Sequence, residues 1–266
     1  MSDAVLRAED VTMRFGGLTA LSKFNLELRP KELVGLIGPN GAGKTTAFNA
    51  LSGVYAPTEG SVFLGGVRVN GLRPHQVCAQ GIARTFQNIR LFKNLSALDN
   101  VRIARHARGH GPLWEPLLGT RSHDDREANM EARARELLAV MGLGDRADEQ
   151  AKNLPYGLQR RLEIARALGA DPKVLCLDEP AAGMNATETA ALMSLIHDIR
   201  DRFGVAVLLI EHDMKLVMGI SERLIVLDHG VTIASGKPED VRKNPKVIEA
   251  YLGVEEGHKA LDTEAA

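Results

Sequence analysis

The chain is short of cysteine, of any excess of one charge sign and of long apolar runs. Its two cysteines, Cys78 and Cys176, lie far apart, and Cys176 sits inside an apolar stretch. That argues against a disulfide framework and for a reducing compartment. Lys+Arg number 33 against 34 Asp+Glu, so no strong field points toward nucleic acid or an anionic membrane. Nothing approaches the roughly 18 continuous apolar residues of a membrane-spanning helix, and the opening "MSDAVLRAED" has neither the basic nor the apolar region of a signal peptide. The expectation is a cytoplasmic protein that reaches a membrane only through a partner. With 266 residues, 25% of them charged and 44% hydrophobic, the chain can build one sizeable α/β domain, with or without a small subdomain.

The patterning supports an α/β fold. Val5–Phe15 and Leu21–Leu28 alternate as half-buried strands do, with Gly16-Gly17 between them. Leu33–Ile37, Val174–Leu177 and Val205–Ile210 are short continuous apolar runs, as expected of strands covered on both faces. "SVFLGGVRV" reads as a hairpin around Gly65-Gly66, and a second hairpin turns at His229-Gly230. Helices are expected over Thr45–Leu51, Ser96–His106, Leu158–Leu168 and Ala186–Phe203, with a last ordered stretch over Pro245–Leu252. Residues 88–152 differ from their surroundings. After Ser96–His106 comes a Gly/Pro-rich stretch, "RGHGPLWEPLLGT". Ser122 and Asp125 have capping-box spacing, and Met130, Ala134, Leu137, Leu138 and Met141 recur at helical spacing. This segment reads as a helical insertion into the α/β core, and 254–266 as a flexible tail.

The strongest chemical signal is Gly38-Pro39-Asn40-Gly41-Ala42-Gly43-Lys44-Thr45, a G-x-x-x-x-G-K-[ST] loop between a strand and a helix. Its glycines let several N–H groups converge on phosphate oxygens. The following helix adds its positive end. Lys44 reaches the β- and γ-phosphates and the Thr45 hydroxyl suits Mg²⁺. A second signal is "VLCLDEP", an apolar strand that runs into Asp178 and Glu179. In isolation such a pair reads equally as the acidic start of the next helix. Beside a phosphate loop, Asp178 reads as a holder of the Mg²⁺ shell and Glu179 as the acid that orients or deprotonates water. His212 follows the strand "VAVLLI", at the strand end where α/β sheets build sites. The other seven histidines carry no pattern. Gln87 and Phe15 are weak signals taken singly.

The order of these motifs resembles the ABC (ATP-binding cassette) ATPase family. A phosphate loop is followed by Gln87, by "LPYGLQRRLEIARAL", by "LCLDEP", by Asn185 after "AAGM", and by His212. The likeness runs over about residues 5 to 253. It implies an ABC cassette of the P-loop NTPase class, with a RecA-like core and an N-terminal antiparallel β-subdomain (1–87 and 153–253) and an inserted α-helical subdomain (88–152). It further implies that Phe15 stacks on adenine and that Gly38 through Thr46 wrap the phosphates of ATP. Thr45, Gln87 and Asp178 would lie around Mg²⁺, Glu179 would act on the attacking water, and His212 would contact it and the γ-phosphate. Asn185 would stand where the family has an Asp facing a partner subunit. Such cassettes pair head to tail, work with integral-membrane permeases, and sit on the cytoplasmic face of the inner membrane. "ARTFQNIRLF", "YGLQRRLEIARAL", "DEPAAGMN" and "IEHDMKLVMGISERLIVLDHG" are similar to the ATPase subunits of branched-chain amino-acid importers, which depend on a periplasmic solute-binding protein.

One segment departs from the family pattern, which reads Leu-Ser-Gly-Gly-Gln. The register set by Ile164–Leu168 puts Pro155 at the Ser, Tyr156 at the first Gly, Gly157 at the second and Leu158 at the Gln. Pro155 has neither the hydroxyl nor an N–H to offer a phosphate. What remains is a helix N-terminus, with backbone donors around Gly157 and the Tyr156 hydroxyl as candidates. Three alternatives stay open on sequence grounds. They are the ATPase of a urea, amide or lipopolysaccharide transporter, a non-transport ABC ATPase, and a pseudo-ATPase structural subunit. Intact Lys44, Asp178, Glu179 and His212 argue against the last.

Overall fold

The computed structural model describes residues 4–106 and 121–251. The stretch 108–120 and the tail from 252 onward, both named above, lie outside them. The chain forms two compact units, Met1–Pro74 with Ile199–Ala266, and His75–Asp198.

In the first unit, β1 (Leu6–Phe15) and β2 (Leu18–Leu28) pair antiparallel across the Gly16-Gly17 turn. They join β4 (Glu59–Leu64) and β5 (Val67–Arg68) in a four-stranded sheet ordered β2-β1-β4-β5. Leu6, Ala8, Val11 and Met13 are buried along β1. The register against β2 shifts at three places, the first between Ala8 and Val11. There Asp10 takes a left-handed φ of 45°, and its carboxylate and N–H are both bonded to the Asn25 amide at 3.0 Å. A second sheet is built around β3 (Leu33–Ile37), which lies parallel to both β8 (Ala206–Ile210) and β9 (Arg223–Asp228). The antiparallel strand β10 (Val231–Gly236) pairs with β9. Every residue of β3 and β8 is buried, which is why these strands are unbroken apolar runs rather than alternating ones. Helix α1 (Lys44–Leu51) leaves the end of β3 through the glycine-rich loop. Helices α7 (Met214–Ile220) and α8 (Pro238–Arg242) and a helical stretch over 245–251 complete this unit.

In the second unit, β6 (Ile82–Arg84) pairs in parallel with β7 (Val174–Asp178). Helix α2 (Pro74–Gln80) leads into β6. Helices α3 (Ala97–His106), α4 (Arg121–Val140) and α5 (Tyr156–Gly169) pack on one another. The expected stripe holds at Ala134, Leu137, Leu138 and Met141, which are fully buried, whereas Met130 is only half-buried. Gly142 ends α4 with a left-handed φ of 70°, and Leu143 N–H bonds back to Leu138. The helix is described from Arg121 onward, and the expected cap at Ser122 rests on a side chain that lies outside the described residues. The final long helix, α6 (Ala186–Phe203), begins after the loop that follows β7.

Candidate functional site

The glycine-rich loop is shaped by backbone demands that only glycine meets. Gly38 has φ 150°, and a Cβ there would stand 2.1 Å from the Leu227 carbonyl oxygen. Gly43 has φ 99° and is the N-cap of α1, with no side chain capping the helix. The start of α1 therefore directs its N–H groups and its positive end at the loop. Lys44 is buried to 8% exposure. Its Nζ donates to the carbonyls of Gly38 (2.7 Å) and Pro39 (2.9 Å), which folds the ammonium over the loop. Gly41 takes φ 80°, Ala42 N–H bonds Pro39 at 3.2 Å, and Ala42 in turn accepts from Gly230 at 3.0 Å. Pro39, Asn40, Gly41 and Ala42 form one wall of an open cavity of about 690 Å³ shared with His229 and Lys246. Thr45 and Thr46 follow in the first turn of α1. This arrangement of a cation, backbone donors and a helix end suits a polyphosphate.

Two other predicted residues lie in the same unit. Phe15, at the end of β1, is 42% exposed. It meets Tyr55 edge to face, with ring centroids 5.3 Å apart and planes at 75°. Tyr55 carries no sequence signal of its own, and its equal exposure gives Phe15 an aromatic neighbour that fixes its ring. His212 follows β8 and is 63% exposed, with Nδ1 3.9 Å from the buried carboxylate of Glu211. Asp213, next to it, has a structural task. It caps α7, accepting from Lys215 and Leu216 N–H.

In the second unit, Asp178 ends β7 and is held in a buried ion pair with Arg84 of β6 (2.8 Å, side chains 8% and 7% exposed). Thr85 Oγ1 accepts from the Asp178 N–H. Glu179 adopts a left-handed φ of 45°, a strained conformation for a residue with a Cβ. Its Oε2 accepts from Gln87 Nε2 at 2.8 Å. Gln87, a weak signal in the sequence taken singly, is thus in direct contact with the second of the two acids. Neither acid starts a helix, since α6 begins seven residues later. Among the described residues no cluster of three His, Cys, Asp or Glu could cage a metal. The side chains of Gln87 and Asp178 in this unit, and the Thr45 hydroxyl in the other, each carry an oxygen of the kind a hard cation prefers.

Helix α5 starts at Tyr156, two residues earlier than the sequence pattern suggests, with Pro155 as an N-cap that supplies no side-chain bond. Among the described residues, the N–H groups of Tyr156 and Gly157 make no hydrogen bond, while those of Leu158 and Gln159 bond Pro155 at 2.9 Å. The backbone donors expected around Gly157 are therefore present. The Tyr156 hydroxyl is already committed, donating to the Ala182 carbonyl at 2.9 Å. Asn185 has a use that the sequence reading missed. It exchanges bonds of 3.0 Å with Glu188, N–H to carboxylate and N–H to amide oxygen, which is a capping box for α6. The spacing N-x-x-E announces it. Arg84, Arg160 and Glu163 were also missed, and nothing in their local sequence singles them out.

The chain matches the family model described as "ABC transporter" over residues 21–182. It matches a second model, "Branched-chain amino acid ATP-binding cassette transporter", over 231–257. It is 48% identical to the high-affinity branched-chain amino acid transport ATP-binding protein LivG of Escherichia coli K12, over 95% of this chain and 99% of that one. It is 46% identical to BraF of Pseudomonas aeruginosa, with the same coverage. Among solved structures, an ATP-binding cassette of an ABC transporter in its ADP conformation superposes with a TM-score of 0.81 at 28% identity, over 95% of this chain and all of that one. With the family model spanning more than half of the chain and relatives nearly half identical along almost their whole length, the protein belongs to the ABC transporter family of ATP-binding subunits.

Proposed function

We propose that this ATPase subunit powers the import of branched-chain amino acids. The observation that carries the substrate class is the match of residues 231–257 to the branched-chain family model. That segment lies outside the phosphate loop and the acid pair, so ATP chemistry does not demand it. A relative named for lipopolysaccharide export is 30% identical, well below the 48% shared with LivG, which leaves that alternative less supported.

ATP is the substrate. Lys44 and the N–H groups of the Gly38–Thr46 segment hold its phosphates, and Phe15, steadied by Tyr55, receives the adenine. Thr45, Gln87 and Asp178 would hold Mg²⁺, which when bound contributes charge neutralisation on the phosphate oxygens. Glu179 takes or orients the proton of the attacking water, with its carboxylate fixed by Gln87. His212 assists at the γ-phosphate. The remainder is positioning rather than covalent chemistry. The N-terminus of α5, through Gly157, meets the phosphate held by a second cassette, and Asn185 lies on the surface facing that subunit. A related cassette, 26% identical, has been solved as a dimer bound to ADP and Pi, which supports pairing. No helix of the described residues is long and apolar enough to cross a membrane. In this reading the subunit sits on the cytoplasmic face through permease subunits, contacted by the helices within 88–152, with a periplasmic binding protein delivering the solute. The 1–87 and 153–253 segments make up the nucleotide-binding core.

The test is uptake of labelled leucine by cells lacking this subunit. Wild type should restore uptake, and Glu179→Gln should not, although it still binds ATP. Restored uptake of urea or no amino acid would sink the substrate assignment. Full ATP turnover by Glu179→Gln would sink the role of Glu179.

A further inference from the structure

Tyr156 stands where the family signature has a glycine, and its side chain reaches the loop downstream of Glu179. Its hydroxyl donates to Ala182. Its ring lies against Gly183, where a Cβ would stand 3.3 Å from a ring carbon. One turn along α5, the Arg160 guanidinium sits 5.6 Å from the Tyr156 ring centroid. Arg160 is 3% exposed and donates to the Phe86 carbonyl at 2.8 Å and to the Gln87 carbonyl. Glu163, equally buried, pairs with Arg160 at 3.3 Å and accepts from the Arg90 N–H at 3.1 Å. Gln87 in turn bonds Glu179. The first turns of α5 therefore grip both neighbours of Glu179, the 86–90 segment that carries Gln87 and the 182–183 segment three residues downstream.

A buried guanidinium is an expensive way to fill space. Its planar fork can, however, hold two backbone carbonyls on two separate nitrogens at a fixed spacing, which the single nitrogen of a lysine does not reproduce and an apolar side chain lacks. We propose that Tyr156 and Arg160 are positioning residues that tie the phosphate-facing start of α5 to the chain's own general base. Capture of the opposite subunit's nucleotide at Gly157 then sets the Gln87–Glu179 contact in the same chain. This inference rests on the roles given to Glu179 and Gly157 above. The tyrosine that displaces a signature glycine becomes, on this view, a gain of linkage in place of the lost serine contact.

The full chain, assembled with its permease, is assayed for fluorescent-ATP affinity, KM and kcat. Tyr156→Phe should leave nucleotide affinity and KM within about twofold and lower kcat about three- to tenfold, the size one neutral hydrogen bond can carry. In the Glu179→Gln background, measured by single turnover, the same change should have no further effect, since the two act as one unit. Arg160→Lys should reproduce the kcat loss. Should that variant not fold, Tyr156→Phe carries the test alone. An unchanged kcat in Tyr156→Phe, or additive losses with Glu179→Gln, overturns the linkage. If Glu179→Gln alone keeps wild-type turnover, the general-base reading fails first and takes the linkage with it, an outcome seen without reference to Tyr156.

Discussion

At the scale of single residues, the second unit holds charges that cannot be removed one at a time. Arg84 and Asp178 are each almost out of water, and their attraction offsets the loss of hydration only while both are present. Arg84→Met should therefore destabilise the protein by about 3–5 kcal/mol, read as a lower urea midpoint, because Asp178 is left buried and unpaired. Glu163 makes a related prediction with a pH sign. Burial pushes its carboxyl above the ordinary 4.5, against the lowering effects of the Arg90 N–H, Arg160 and Arg166. Between 4.5 and the raised folded value the native state holds the extra proton, so stability falls as pH rises through that window. Relative to Glu163→Gln, wild type should lose ground as pH climbs from 4.5 toward neutrality, in parallel urea titrations of the two proteins.

At the scale of elements, the two helices that flank the acid pair begin in opposite ways. Helix α6 is closed by the Asn185–Glu188 box, whereas α5 opens on a proline that caps nothing with its side chain. Asn185→Ala should cost about 1 kcal/mol of stability, visible as a shift of the thermal midpoint. The same contrast shows what sequence can and cannot give. Phosphate loop, buried strands and hairpins were legible because each is a local pattern: glycines where φ is positive, apolar runs where both faces are covered, Gly-Gly at a turn. The short elements α2, β6, α7 and α8 were not read, since three to seven residues hold too little periodicity. The Gln87–Glu179 and Arg84–Asp178 contacts join residues more than ninety positions apart, and no spacing rule reaches that far.

At the scale of the whole molecule, two properties follow from single substitutions. Pro155→Ser restores a hydroxyl at the N-cap of α5. It should raise the stability of the ATP-free chain by about 0.5–1 kcal/mol as a cap. It should also lower the ATP concentration needed for two chains to associate, followed by light scattering in the Glu179→Gln background. A stability gain without tighter association would confine the hydroxyl to capping. The left-handed backbone of Glu179 leads to a second property. Glycine is at ease at that φ and glutamate is not, so Glu179→Gly should relieve about 1 kcal/mol of strain while removing the group that handles water. A population of variants sorted only for heat resistance would thus enrich dead enzymes at this position. Durability and turnover are set against each other at one peptide unit, and any stabilised version of this subunit has to be selected on both.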